Sequence, residues 1–277
     1  KILVQKKSKE SGGSRRLMKL YFSFLKMQIK RQMQYRLSLA LMFFAQILTT
    51  VLMLLTIYLL MDRFNVVDGW NFKQILLTYG VVMFSFSFTE CFFRGMDTFA
   101  SFIKSGSVDR MLVRPRGVVH QALCCDVELS KCGRVIVAIA TLVYGMCVQD
   151  FTWTFSKVMI LIGMCVCGIV VFLGLFMLGA SWAIFTIDGI EVVNIFTDGG
   201  RELCQYPLNI YGDKLQKIFT FVIPYACFNI LPMKYLYGME GATLWNGALA
   251  PVWGMLFIIP CYLILRLSLR KYESTGT

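Results

Sequence analysis

The sequence predicts an all-α polytopic integral membrane protein: six transmembrane helices preceded by an amphipathic helix on the cytoplasmic face. Three observations carry this prediction. The 277 residues are 57% hydrophobic and only 16% charged, with a mean hydropathy of +0.64, where a soluble domain carries about a quarter charged residues. The charges lie between long apolar runs, and such runs suit a solvent in which each segment must satisfy its own backbone groups. The 23 Phe, 12 Tyr and 5 Trp fit lipid-facing surfaces and interfacial belts.

Residues 1–17 are polar, basic and Gly/Ser-bearing, and Met18 is a plausible start. They are expected to be a disordered or expression-derived tail, leaving 18–277 as one transmembrane domain. From Leu17 to Arg36, Arg16, Lys19, Ser23, Lys26, Lys30 and Gln34 form one polar stripe. Met18, Phe22, Leu25, Ile29 and Met33 line the other side. A basic amphipathic helix beside a span lies in the interface, with Lys19, Lys26 and Lys30 at lipid phosphates.

The first span is expected at 37–61, a charge-free run longer than the roughly 30 Å hydrocarbon core requires at about 1.5 Å per residue. The second is expected at 74–93. The third, 135–149, is short; Arg134 can snorkel at one end and Trp153 can anchor beyond the other. The fourth, 158–187, must tilt, bend or protrude. The fifth, 218–233, contains Pro224 and Pro232 and should be kinked or broken. The sixth is expected at 241–265. Six spans put 24 Lys/Arg on the side of the termini and four on the other, so both termini are expected in the cytoplasm of a multi-pass cell-membrane protein. The formal charge of +12 flanks spans in this way, which argues against a nucleic-acid partner.

The chemistry-bearing residues are sparse. His120 is the sole histidine, and there is no P-loop, G-x-S-x-G or H-E-x-x-H pattern. The ten Cys show no C-x-x-C pair and several lie within apolar runs, so reduced thiols and no metal site are expected. The best intramembrane charge is Glu90, with Arg94 one turn later and Asp97 extending the same mouth. It reads as an interfacial i,i+4 ion pair or as an ion site. Pro224, Asn229 and Pro232 read either as a kink within the bundle or as pathway contacts.

The loop 94–134 is long for a simple connection. Ser105-Gly106-Ser107 breaks the chain, 108–112 is expected as a short helix, and Arg114-Pro115 stops it. A helix between two breakers suits docking on a cytoplasmic partner; a plain basic surface loop is the alternative.

Gly106-x-x-Asp109-x-x-Leu112-x-Arg114-Pro115 resembles a signature of the type 2 ABC exporter permeases, in a six-span branch with a separately encoded ATPase. Arg201-x-Leu203-x-x-Tyr206-Pro207-x-x-Ile210-Tyr211, the run from Ile223-Pro224-Tyr225-Ala226 through Asn229 to Pro232, and the tail Arg270-Lys271-Tyr272-Glu273-Ser274-x-Gly276 are similar to further stretches of that branch. The resemblance implies a non-enzymatic permease subunit of an ATP-driven exporter. It would pair with a second permease copy or a homologous permease and with two ABC ATPase subunits, which would hold the ATP and magnesium. It implies that Gly106, Asp109, Leu112, Arg114 and Pro115 belong to a coupling helix, and that the segment before span one is an elbow helix. The rival readings are an ion-coupled secondary transporter centred on Glu90 and a non-catalytic membrane scaffold.

Overall fold

The computed structural model describes residues 26–64, 66–67, 69–114, 117–186, 190–206, 212–239, 243 and 245–272. The expectations for residues 1–17, Lys19 and Pro115 lie outside them. Helix α1 (residues 26–32) passes through a 3-10 turn, Met33–Tyr35, into α2 (Arg36–Phe64). A two-stranded antiparallel hairpin, β1 (Val66–Val67) and β2 (Trp70–Asn71), leads into α3 (Phe72–Phe92). Four short helices follow: α4 (Arg94–Asp97), α5 (Phe99–Lys104), α6 (Ser107–Leu112) and α7 (Val118–Cys125). Then come α8 (Cys132–Cys147) and α9 (Phe155–Phe185). The remainder is α10 (Ile190–Cys204), α11 (Asp213–Phe221), α12 (Tyr225–Phe228), α13 (Ile230–Tyr237), α14 (Ala250–Met255) and α15 (Ile258–Arg270).

Among the described residues, five helices are long and apolar enough to cross a membrane: Lys26–Arg63, Phe72–Phe92, Leu129–Cys147, Phe155–Phe185 and Gly247–Arg270. They fall on the expected spans one, two, three, four and six. Helix α3 is the centre, buried along most of its length. Small residues let its neighbours approach: a Cβ on Gly80 would sit 2.9 Å from the Leu142 Cα, so α8 packs backbone against backbone. On the other face, Ser85 Oγ donates to Cys165 O at 3.1 Å and Thr89 Oγ1 to Ile169 O at 3.3 Å, tying α3 to α9. Hydroxyls also bonded to their own helix, as both are, add cross-helix glue without leaving a polar group bare in hydrocarbon.

The fifth crossing differs from the expected 218–233. Pro224 lacks an N–H and Asn229 leaves the helical region at φ −108°, ψ −91°, so α11, α12 and α13 are separate pieces. The chain instead enters the bundle through α10, where Thr197, Arg201 and Cys204 are buried. It reaches the opposite end through α13, where Tyr237 donates to Gln149 Oε1 at 2.7 Å and packs edge-on against Trp70. The two halves are joined where Asn229 Nδ2 donates to Cys204 O at 2.6 Å. That carbonyl ends α10 and has no intrahelical partner of its own.

Both described ends of the chain share one end of the bundle with the 94–131 segment. Gln32 Nε2 in the first-span helix donates to Val127 O at 2.5 Å, and Tyr272, just after α15, lies beside Asp109 of α6. The five long helices, with the α10–α13 pieces running from one end of the bundle to the other, give this arrangement.

Candidate functional site

The site is the short-helix segment between α3 and α8, with the charges at its root. Glu90, 5% exposed, sits two residues before the end of α3. Its Oε1 lies 2.7 Å from Lys131 Nζ and 3.4 Å from Arg94 Nη1; its Oε2 lies 2.6 Å from Arg134 Nη1. Arg134 also donates to Gln46 Oε1 through Nε at 3.1 Å and Nη2 at 2.6 Å. One carboxylate thus ties the first three spans together. Arg94 carries the network outward to Asp97 and, at 3.1 Å, to Glu128. Burial pushes the Asp97 carboxyl above the usual range, and the Arg94 guanidinium opposes that without overcoming it. Of the two readings of Glu90, this geometry is that of an ion pair, enlarged to three cations.

Two arginines stand on one ring. Arg201 Cζ lies 4.8 Å and Arg134 Cζ 6.0 Å from the Phe86 ring centre. Arg201 lies outside every expected span, since Glu191, Asp198, Arg201 and Glu202 interrupt the apolar pattern. The signal for its burial was the i,i+3 spacing to Asp198, which lies 3.6 Å away.

The chain leaves α3 at Phe93 and turns through α4 and α5. Gly95 is in contact with α7: a Cβ there would lie 2.0 Å from Ala122 O. Gly106 takes φ +64°, the left-handed region that favours glycine, and opens α6. Helix α6 buries Val108 and Met111 and is held from behind by Gln121, whose Nε2 donates to Met111 O at 2.9 Å. Its outer face carries Arg110, Leu112 (47% exposed), Val113 (87%) and Arg114.

The sequence-selected residues therefore divide. Leu112 and Arg114 are on the free face, Gly106 sets the turn, and Asp109 faces Tyr272, whose hydroxyl burial and the Asp109 carboxylate together push up. The motif stretches around Asp109 and Tyr272 meet in space. The stretches from Arg201 and from Ile223 meet each other where Asn229 bonds Cys204 O, and Tyr225 Oη donates to Phe196 O earlier in α10. Pro224 caps α12 and Pro232 is buried in α13. Glu90, Asn229 and Pro232 are packed inside the chain. Lys26 and Lys30 are exposed on α1. All ten cysteines are free, and Cys91 and Cys132 Sγ lie 3.4 Å apart between α3 and α8.

A family model described as ABC-2 family transporter protein matches residues 47–276. The chain belongs to the ABC-2 transporter family. No curated protein and no solved structure matches it. The matched region takes in α3 to α15, the whole of the site, and makes this family member a membrane permease component of an ABC transporter, a kind of subunit that works with an ABC ATPase.

Proposed function

We propose that this chain is the permease subunit of an ATP-driven exporter in the cell membrane. Two such subunits, identical or homologous, form the substrate pathway, and separately encoded ATPase subunits bind the ATP and magnesium. Coupling runs through α6. The observation that carries this reading is the outer face of α6: an exposed Leu112–Val113 pair flanked by Arg110 and Arg114, on a helix fixed by a left-handed glycine and by the buried Val108 and Met111. An exposed apolar pair with a cationic rim on a rigid support is suited to a partner's cleft. The charge asymmetry of 24 Lys/Arg against four supports placing this face, and both termini, in the cytoplasm.

An ion-coupled carrier needs a titrating group with room to exchange its ion. Glu90 is the one candidate the sequence offers, and it is engaged by three cations.

The test is Arg114→Glu combined with Leu112→Asp, introduced into the full chain co-expressed with its ATPase. Membrane insertion should be unchanged, ATPase co-purification should be lost, and transport should fall at least about tenfold, which corresponds to about 1.4 kcal/mol of docking energy. Wild-type transport and co-purification in this variant would remove α6 from the coupling route.

A further inference from the structure

Between α1 and α6 lies a cleft of about 500 Å³, which shares Arg110 and Arg114 with the rim of the docking face. Arg31 stands on one wall, and Arg110 and Arg114 on the other. Neither Arg110 nor Arg114 is paired with a carboxylate among the described residues; Arg110 Nη2 donates to Ser107 Oγ at 2.9 Å, and Arg31 reaches Asp126 at 3.3 Å across an exposed edge. Among the described residues, no carboxylate lines the cleft itself. Its remaining lining includes Met27, Phe102 and Met111, so three guanidiniums surround an apolar floor.

Both walls are held in place. Gln28 Nε2 donates to Cys125 O and Gln32 Nε2 to Val127 O, while Gln32 Oε1 accepts from Leu129 N at 2.9 Å. These bonds stitch α1 to the segment after α7, and Gln121 holds α6. Gln28 Oε1, on the cleft wall, is buried and has no partner among the described residues. An unpaired acceptor there calls for a hydroxyl or other donor, as the three arginines call for an anion.

We propose that this cleft binds the headgroup of an anionic phosphoglycerol lipid. The phosphodiester sits among Arg31, Arg110 and Arg114, since a guanidinium fork matches two phosphate oxygens at once. A glycerol hydroxyl donates to Gln28 Oε1. The acyl chains leave over Met27 and Phe102 toward the bilayer. Basic pockets at the membrane surface take anionic headgroups in this way. The occupied cleft would brace the docking helix against α1, making coupling depend on the lipid. This rests on the reading that α6 lies at the cytoplasmic membrane surface, but it needs no ATPase, so the two can fail separately.

The test uses the full chain alone, without ATPase, in mixed micelles of phosphatidylglycerol and phosphatidylcholine, with retained lipids counted by native mass spectrometry. Wild type should retain phosphatidylglycerol over phosphatidylcholine by about tenfold or more: both carry the phosphodiester, but choline adds a cation that the three arginines repel and has no hydroxyl to donate to Gln28 Oε1. Arg31→Gln/Arg110→Gln should lose the preference, and Lys157→Gln, at the other end of the bundle, should keep it. Equal retention of the two lipids by wild type, or an undiminished preference in the double variant, overturns the proposal. Displacement of the lipid by millimolar inorganic phosphate makes it a simple phosphate site, and displacement by purified ATPase makes it a protein contact; either also overturns it. Should the double variant not fold, a photoactivatable phosphatidylglycerol on wild type decides: adducts on 27–31 and 102–114 support the site, and adducts confined elsewhere overturn it.

Discussion

Glu90 Oε2 and Arg134 Nη1 lie 2.6 Å apart across the interface of α3 and α8, with the carboxylate 5% exposed. Lys131 and Arg94 complete a cationic ring on the other oxygen. Four charges are thereby gathered where the second and third spans leave the hydrocarbon and the short-helix segment begins.

Glu90→Gln should therefore destabilise the fold strongly. It removes the carboxylate that Lys131, Arg134 and Arg94 share, leaving only Arg94 with other carboxylate partners among the described residues, and breaking a buried pair by deleting one partner costs about 3–5 kcal/mol. Thermal unfolding in detergent checks this, and Gln46→Ala, which removes only a neutral acceptor of Arg134, should cost about 1–3 kcal/mol. A proton-coupled carrier predicts the reverse pattern for Glu90→Gln: intact stability and lost gradient-driven transport.

Gly95 and Gly199 make a matched pair. At Gly95 an added Cβ meets Ala122 O at 2.0 Å, a fixed backbone atom, so Gly95→Ala must push α4 off α7. A loss of at least about 1–3 kcal/mol follows from overpacking. Gly199, inside α10, has open space around its Cβ position, and Gly199→Ala should stabilise by about 0.5–1 kcal/mol through helix propensity. Melting temperatures of the two variants should move in opposite directions.

Spans one to four and six were legible because each is an apolar run with its charges at or near the ends, and the membrane demands that pattern. The turn at Gly106 and the short helix after it were legible from Ser105-Gly106-Ser107 and Arg114-Pro115. The fifth crossing was not. Its first half, α10, carries Glu191, Asp198, Arg201 and Glu202, and local hydropathy reads these as a loop. What makes them tolerable is long-range: Arg201 rests on Phe86, and Asn229 terminates α10 from 25 residues away. The Glu90 cluster was legible only as its local pair, because Lys131 and Arg134 join it through the packing of α8 on α3. Asp109 was assigned to the docking face, yet its neighbour is Tyr272 in a tail that no sequence spacing connects to it.

Asp97 gives a pH signature. Its folded-state pKa is raised by burial, with Arg94 opposing. A carboxyl raised on folding binds more protons in the native than in the unfolded state, so stability falls as pH rises through the interval from the ordinary value of about 3.9 up to the raised value. The penalty is fully present above that interval and absent below it. Asp97→Asn should therefore raise the melting temperature at neutral pH, or leave it unchanged if the lost Arg94 pair offsets the gain. It should also flatten that part of the profile. Melting curves from pH 3 to 7 decide it; a wild-type curve that rises across the interval, and is unaltered in shape by the substitution, contradicts the assignment.

Asn229→Ala should open the fifth crossing. The Asn229 amide donates to Cys204 O at 2.6 Å and is 1% exposed. Removing it takes from the last carbonyl of α10 its side-chain partner among the described residues, in a buried site. Interhelical hydrogen bonds in membranes average only about 0.6 kcal/mol, because the unfolded chain in the bilayer finds substitutes. Here the carbonyl is a helix terminus at which the chain departs, so the larger figure of about 1–3 kcal/mol for an orphaned buried group applies. Asn229→Asp is the sharper variant: it keeps the shape but places a carboxylate against the carbonyl, and should cost more than alanine. Hydrogen exchange locates the effect. Amides of 225–237 should exchange faster in both variants while those of α3 and α9 stay protected, and uniform exchange across all three would show that Asn229 stabilises the bundle as a whole rather than this joint.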